Sequence, residues 1–258
     1  MKLTPEEKTY LEIYKGDMDN GEKALKNWKE ELTPFESFYY LMQLSYENLN
    51  AFINFINNPQ DAGLKSFHIY KLDIVMTMIL KTIDVACRYA LQNNDLDGLT
   101  LYRYEQKKLM PSYSNGELCS FKSTSFSSSE AEVFNHGDTS VLLEYNIVGF
   151  CPYIKMNDLT DSGYFGDEKE YLFPPYLACG VDGNSVDIFI DYIHEEVDQE
   201  ALAVAKNNFV KQLFADQEKG VVSEELKKYC NSINSYLRSN AKTMYETYSN
   251  QISDSKSI

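Results

Sequence analysis

The sequence lacks the short motifs that mark several common kinds of site. Neither G-x-G-x-x-G nor G-x-x-x-x-G-K occurs, so a Rossmann or P-loop nucleotide site has no support, and G-x-S-x-G is also absent. No C-x-x-C pair is present, which argues against a zinc site, and the odd number of cysteines argues against a disulfide framework. The histidines have no cysteine or carboxylate at metal-ligand spacing, so no metal is predicted. The residues concerned are Cys87, Cys119, Cys151, Cys179, Cys230, His68, His136 and His194.

Positive charge and long apolar runs are also scarce. The 24 lysines and arginines are outnumbered by 39 aspartates and glutamates, which gives a formal net charge of −15 and a pI of about 4.6. Such a chain repels a phosphate backbone, so we expect no nucleic-acid partner, although a small anionic ligand needs only a local positive spot. The most apolar run, Ile74 to Leu80, is too short to span a bilayer, and no basic-then-apolar signal peptide opens the chain. We therefore expect a protein without a membrane span that folds, or acts, inside a cell.

Helical signals dominate the first 95 residues. Thr4-Pro5-Glu6-Glu7 combines an N-cap, a proline at the first helical position and a glutamate that reaches back, and Gly16 is expected to end this helix. Thr33-Pro34-Phe35-Glu36 repeats the start signal before a helix to about Asn57. A third helix is predicted over about 70–91, because its apolar residues follow the three-and-four spacing of one buried face. Those apolar residues are Leu72, Val75, Met76, Ile79, Ile83 and Ala86.

Short apolar segments bounded by turn residues replace the helical pattern between about 100 and 193. Asp182-Gly183-Asn184 is a hairpin turn signal between the last two of the candidate strands. After Asp198 the helical pattern returns, Gly220 breaks it, and Ser223 is positioned to cap a last helix. The candidate strands are 100–104, 119–125, 141–147, 169–173, 176–181 and 186–192, and the two C-terminal helices run to about Lys219 and Asn250.

Three short motifs follow one another along the predicted strands. Leu101-Tyr102-Arg103-Tyr104 puts an arginine in the first strand, where alone it would be an ordinary ion-pairing residue. Ser123-Thr124-Ser125 lies on the second strand, and strand alternation puts its two serines on one face and Thr124 on the other. Glu168-Lys169-Glu170 carries two glutamates on one face, which repel each other unless a cation offsets them. Each motif alone is also compatible with a solvated sheet edge.

In this order the three motifs resemble the R-S-E class of ADP-ribosyltransferases, which includes the enzymatic components of clostridial binary toxins and vertebrate arginine-specific ectoenzymes. The resemblance covers about residues 99–193, with a hydrophobic-Tyr-Arg triplet, an aromatic residue before Ser-Thr-Ser, and Glu-x-Glu before hydrophobic residues and proline. It implies an α+β fold in which two packed, mostly antiparallel sheets form a cleft for NAD, with helices before and after them. NAD would be a co-substrate, with no metal.

The resemblance also implies a division of the chain. Residues 1–196 would form the catalytic domain, with helices over 1–95 and a β-rich NAD-binding core over 96–196. Residues 197–258 carry no family signal and would form a C-terminal helical extension. Its amphipathic pattern leaves open whether it packs on the core, binds a partner or anchors an assembly.

Individual residues acquire roles from this resemblance. Arg103 would grip the NAD phosphates through its guanidinium. Ser123 would hold the catalytic glutamate and help to seat the nicotinamide ribose. Glu170 would bind the ribose 2′-hydroxyl and stabilise the oxocarbenium-like cation that forms as nicotinamide leaves. Glu168 would orient the incoming nucleophile and take its proton, and in this family a glutamate there accompanies arginine acceptors. The expected NAD-binding set is completed by Tyr104, Thr124 and Ser125.

Two features bear on the pocket and on the acceptor. Tyr104 stands where family members often have glycine, so its side chain would crowd the nicotinamide pocket or must point away from it. The loop from Asp158 to Asp167 would recognise the protein substrate through Tyr164 and Phe165, although core packing explains Phe165 equally well.

We therefore expect a mono-ADP-ribosyltransferase that modifies an arginine on a protein substrate. It would act in the cytoplasm or, as a toxin or effector, after delivery into a host-cell cytosol. Two alternatives stay open: an NAD glycohydrolase with water as acceptor, and a catalytically silent domain that keeps the fold for protein binding. The presence of all three motifs argues against the silent domain.

Overall fold

The structure is a computed structural model that describes residues 1–15, 72–93, 95–107, 110, 113, 116–159, 169–193 and 195–255. The helix expected over 33–57 and its start signal lie outside these residues, as does the expected stop at Gly16. Tyr164, Phe165 and Glu168 also lie outside them, so the structure bears on the first two motifs and on Glu170 of the third.

The described N-terminal part consists of two helices, α1 (Pro5–Lys15) and α2 (Leu72–Gln92). The expected capping box is present, because the Glu7 amide donates to Thr4 Oγ1 at 3.2 Å and the Thr4 amide donates to Glu7 Oε2 at 2.8 Å. The apolar face predicted for α2 is buried throughout. Leu11 of α1 packs with Val85 and Ala86 of α2 in a small cluster against the sheet.

Seven strands follow and are joined in the order β4-β5-β2-β1-β3-β7-β6. Every neighbouring pair is antiparallel except β3 and β7, which run parallel. This arrangement confirms the α+β class with a mostly antiparallel sheet and helices before and after it. The strands are β1 (Thr100–Gln106), β2 (Lys122–Ser125), β3 (Ser140–Ile147), β4 (Ile154–Lys155), β5 (Glu170–Phe173), β6 (Ala178–Asp182) and β7 (Ser185–Phe189).

Two sheets were expected, and hydrogen bonds join the strands into one sheet that is nearly divided. β1 and β2 meet at a single residue pair, Tyr102 with Ser125, whereas β1 and β3 pair along seven positions from Thr100 to Gln106. We call this single pair the β1–β2 junction. It separates a three-stranded part, β4-β5-β2, from a four-stranded part, β1-β3-β7-β6. The strands diverge beyond the junction, and the side chains between them form the cleft described below.

The hairpin signal and most strand positions agree with the sequence. Gly183 in the β6–β7 turn has a positive φ of 60°, a conformation that glycine adopts without the steric cost of a Cβ. The strand missed by the sequence is β4, whose two residues, Ile154 and Lys155, are too few to show an alternating pattern.

The C-terminal helices α4 (Gln199–Lys219) and α5 (Glu224–Ser255) complete the described fold. Ser223 caps α5 as expected, since its Oγ accepts from the Leu226 amide at 3.1 Å, and α5 continues a few residues past Asn250. The buried faces of both helices belong to the main hydrophobic core together with α2 and the strands. Tyr245 OH also donates to the Pro175 carbonyl at 2.5 Å. Within the described chain, no helix is long and apolar enough to cross a membrane.

Candidate active site

A cleft of about 290 Å³ opens where β1 and β2 diverge. This volume is close to the lower end for small-molecule sites. Both the arginine motif and the serine motif contribute to the wall, which also includes residues that follow β2. The residues that line the cleft include Arg103, Tyr104, Glu105, Lys122, Ser123 and Ser125.

Arg103, the serine motif and Glu170 lie on three neighbouring strands. β2 carries Ser123-Thr124-Ser125 and is hydrogen-bonded to β1, which carries Arg103, on one side and to β5, which begins at Glu170, on the other. Residues that lie opposite each other in an antiparallel pair project from the same face of the sheet. The β2–β5 register pairs Ser125 with Glu170 and Ser123 with Leu172. Ser125 is therefore the hydroxyl directly across from Glu170, and Ser123 is one diagonal position away on the same face.

The two serines and Thr124 face different surroundings, as strand alternation predicted. Thr124 is buried and its Oγ1 donates to the Tyr171 carbonyl at 3.1 Å. In the part of the chain that is described, the Ser123 and Ser125 hydroxyls have no hydrogen-bond partner and line the cleft. Glu170 is only 6% exposed. A buried carboxylate next to two available hydroxyls is suited to bind the hydroxyls of a ribose.

Two contacts hold the Arg103 guanidinium at the cleft wall. Its Nε donates to Glu105 Oε2 at 3.1 Å, and its Nη1 donates to the Ser123 carbonyl at 2.8 Å. The second contact joins β1 to β2 through a side chain. The side chain is 25% exposed, and its other N–H groups have no partner among the described residues. Burial is the largest single influence and would lower the pKa of Arg103. The charge and hydrogen bond of Glu105, together with Tyr113 and Tyr145, outweigh burial and raise this pKa, so the guanidinium stays charged.

Glu105 and Lys122 belong to the site although the sequence analysis did not single them out. Lys122 Nζ donates to Glu105 Oε2 at 2.9 Å, and both side chains are 2% exposed. Burial favours the protonated form of Glu105, but the charges of Arg103 and Lys122 outweigh burial and lower its pKa. The sequence contains one signal for the pairing of Arg103 with Glu105. They are two positions apart on a strand, so both side chains project from the same face.

Tyr104 lines the cleft and reaches the segment that follows β2. Its hydroxyl donates to Glu132 Oε2 at 2.6 Å, so the Glu132 carboxylate is hydrogen-bonded to the Tyr104 side chain. Glu130, in the short helix α3 (Ser128–Ala131), pairs with Lys169 at 3.5 Å. The two carboxylates beside the cleft therefore both have partners within the protein, and Tyr104 occupies space that a glycine would leave open.

No group of three or more histidine, cysteine, aspartate or glutamate side chains suited to a metal ion occurs among the residues described. His136 is exposed at the cleft wall, while His68 and His194 lie outside the described ranges. All five cysteines are described, and each is free and buried.

No protein-family model matches the chain, and no curated protein matches its sequence. Three solved structures match it, all of an ADP-ribosyltransferase named Vis. The complex of Vis with agmatine has 17% identity over 73% of this chain and 86% of the other, with a TM-score of 0.29. The Vis toxin from Vibrio splendidus has 16% identity over 65% and 80% of the two chains, with a TM-score of 0.27. TM-scores of this size do not establish a common fold, so the proposed function depends on the sequence motifs and on the contacts of this chain.

Proposed function

We propose that this chain is a mono-ADP-ribosyltransferase, which transfers ADP-ribose from NAD to a protein side chain and releases nicotinamide. One observation carries the proposal: β2, with Ser123-Thr124-Ser125, lies between the strand of Arg103 and the strand of Glu170, and Arg103, Ser123 and Ser125 line one cleft. The resemblance of the three motifs to those of R-S-E transferases supports the same proposal.

The charge of the cluster around Arg103 supports a ligand that carries phosphate groups. Arg103 and Lys122 carry two positive charges and Glu105 carries one negative charge, so this cluster is net positive in a chain whose formal net charge is −15. The N–H groups of Arg103 without a described partner are suited to phosphate oxygens, which guanidinium binds with well-defined geometry. Local charge of this kind attracts an anion although the whole protein repels one.

The proposed chemistry begins with cleavage of the bond between nicotinamide and ribose. The bonding electron pair leaves with nicotinamide, and positive charge develops on the ribose. Glu170 would stabilise this charge through the ribose 2′-hydroxyl, because a carboxylate fixed before the reaction has no reorganisation cost when the charge appears. Ser125 and Ser123 would orient Glu170 and the ribose. A nitrogen of the acceptor then bonds to the ribose carbon and loses a proton.

Arginine as the acceptor is the less supported half of the proposal, because it depends on Glu168 alone. A guanidinium is a poor nucleophile while protonated, so a carboxylate that orients it and accepts its proton is useful. Tyr164 and Phe165 are proposed to contact the acceptor protein. We extend the proposal to a toxin or effector role in a host-cell cytosol, on the resemblance of the motifs to binary-toxin components.

Incubation with biotin-tagged NAD and a cell lysate tests the proposal. Nicotinamide release is measured in parallel, and modified residues are located by mass spectrometry. Tagged arginines are the expected result. Nicotinamide release without tagged protein would instead indicate an NAD glycohydrolase, and no release at all would overturn the proposal.

The Glu168→Gln variant separates NAD cleavage from transfer to arginine. We expect it to lose transfer to arginine and to retain part of the NAD cleavage, because its role is confined to the acceptor. Glu200→Gln, at an exposed position in α4, is the matched control and should behave as the wild type. Unchanged transfer by Glu168→Gln would remove the support for arginine as the acceptor.

A further inference from the structure

Three donors converge on one carboxylate oxygen beneath the cleft. Glu105 Oε2 accepts from Arg103 Nε at 3.1 Å, from Lys122 Nζ at 2.9 Å and from Tyr113 OH at 2.8 Å. The Tyr113 hydroxyl lies 2.5 Å from the Tyr145 hydroxyl, so Tyr145 donates to Tyr113 while Tyr113 donates to Glu105. Glu105 Oε1 accepts from the Gln106 amide at 3.2 Å. Both oxygens of this carboxylate are therefore occupied within the protein.

Burial makes this group of charged side chains energetically costly. A carboxylate and an ammonium with 2% exposure have lost nearly all contact with water, and such a pair is stable only with good geometry and satisfied hydrogen bonds. Lys122 Nζ also lies 4.9 Å from the centre of the Tyr113 ring, which adds a cation–π contact. Arg103 extends to the cleft wall and has N–H groups without a hydrogen-bond partner among the described residues.

We propose that Glu105 is a positioning residue for NAD binding, which fixes the Arg103 guanidinium at the cleft wall in the orientation that receives the phosphates. This inference rests on the proposed function. Glu105 makes no contact with the ligand in this scheme, because its carboxylate is buried behind Arg103. An arginine held at Nε and Nη1 has few rotamers left, so less conformational entropy is lost when its free N–H groups bind a phosphate.

Two other roles for Glu105 make different predictions. If its charge merely weakened the attraction for phosphate, removal of that charge would lower KM for NAD. If it served only to stabilise the fold, its loss would lower the melting temperature and leave KM and kcat of the folded protein unchanged. A positioning role raises KM with little change in kcat, since phosphate binding contributes equally to the ground state and the transition state.

The informative variant is the double substitution Glu105→Gln with Lys122→Met. It removes one negative and one positive charge together, so the local charge of the cleft is kept, and no buried ammonium is left without a partner. Arg103 stays, but the charged acceptor of its Nε is replaced by a neutral amide oxygen, which holds the guanidinium less firmly. We expect KM for NAD in nicotinamide release to rise by about tenfold, the equivalent of one charge-assisted hydrogen bond, with kcat changed by less than about threefold.

The control is Glu117→Gln. Glu117 forms an ion pair with Arg238 at 2.7 Å with little exposure, and it does not line the cleft. Its substitution should lower the melting temperature and leave KM unchanged. An unchanged KM in the double variant, or a lower one, would overturn the positioning role.

A second measurement reports on Arg103 without catalysis. A guanidinium whose Nε–H is hydrogen-bonded and shielded gives a slowly exchanging NMR signal. We expect slow exchange of the Arg103 Nε–H in the wild type and in Lys122→Met, and faster exchange in the double variant, where the acceptor is neutral. Equally slow exchange in the double variant would contradict the inference. A wild type that shows this Arg103 signal but neither binds nor cleaves NAD would instead identify the proposed function as the part that failed.

Discussion

Ser125 on β2 lies directly opposite Glu170 on β5, and both residues project from the face of the sheet that carries Ser123. The register was not available from the sequence, which assigned the orientation of the glutamate to Ser123 by resemblance.

Substitution of Glu170 by glutamine should abolish nicotinamide release and transfer together. Glutamine keeps the size of the side chain but removes the charge that would stabilise the developing cation, so we expect kcat to fall by at least about 100-fold. Glu144→Gln, at an exposed position on β3, provides the control. Normal nicotinamide release by Glu170→Gln would remove Glu170 from the proposed site.

The effect of a substitution in the serine motif should depend on the face of β2 from which the side chain projects. We expect Ser125→Ala to lower kcat for nicotinamide release by about tenfold, because Glu170 loses the hydroxyl across from it. Thr124→Val should lower the free energy of unfolding by about 1 kcal/mol through the lost bond to the Tyr171 carbonyl, with activity per folded molecule retained. A larger loss of kcat in Ser123→Ala than in Ser125→Ala would show that the diagonal hydroxyl orients Glu170.

Stability in acid should report on Glu105. Its pKa in the folded protein lies below the ordinary 4.5 because the charges of Arg103 and Lys122 outweigh burial. The stability that Glu105 contributes is present above pH 4.5 and is lost as the pH falls, since the unfolded chain binds this proton first. The double variant Glu105→Gln, Lys122→Met should lose less stability below pH 4.5, with a slope smaller by up to about 1.4 kcal/mol per pH unit. Urea denaturation at several pH values measures both slopes, and equal slopes would contradict the lowered pKa.

The C-terminal helices should be required for the stability of the whole fold. Leu237 of α5 is 1% exposed in the main core, so Leu237→Ala should lower the free energy of unfolding by about 2–5 kcal/mol. Val204→Ala on α4, where the side chain is 49% exposed, should change it by less than about 0.5 kcal/mol. Thermal or urea unfolding compares the two variants, and equal effects would show that α5 packs less closely than described.

Local sequence signals predicted much of this fold. The capping box at Thr4, the buried face of α2, the β6–β7 turn and the cap at Ser223 all depend on residues a few positions apart, and each was found where the sequence put it. These features are recoverable because propensity and periodicity act over one or two turns of helix or along one strand.

The parts that the sequence did not predict depend on residues far apart in the chain. The parallel pairing of β3 with β7 and the single-pair β1–β2 junction are set by tertiary packing, which no local pattern encodes. The burial of Glu105 and Lys122 is of the same kind, because charged side chains are ordinarily placed on the surface unless a partner is known. The roles of Glu168, Tyr164 and Phe165 stay predictions from resemblance.

The β1–β2 junction has a consequence for how such a cleft can diverge between related proteins. A substitution that changes the spacing of strands within a ladder ordinarily breaks several backbone hydrogen bonds at once. Beyond Tyr102 and Ser125 no ladder pair joins β1 to β2, so side-chain contacts such as that of Arg103 with the Ser123 carbonyl connect the two strands there. Mutations at these side chains can therefore reshape ligand preference while the backbone hydrogen bonds of the sheet, and with them the inherited fold, are conserved.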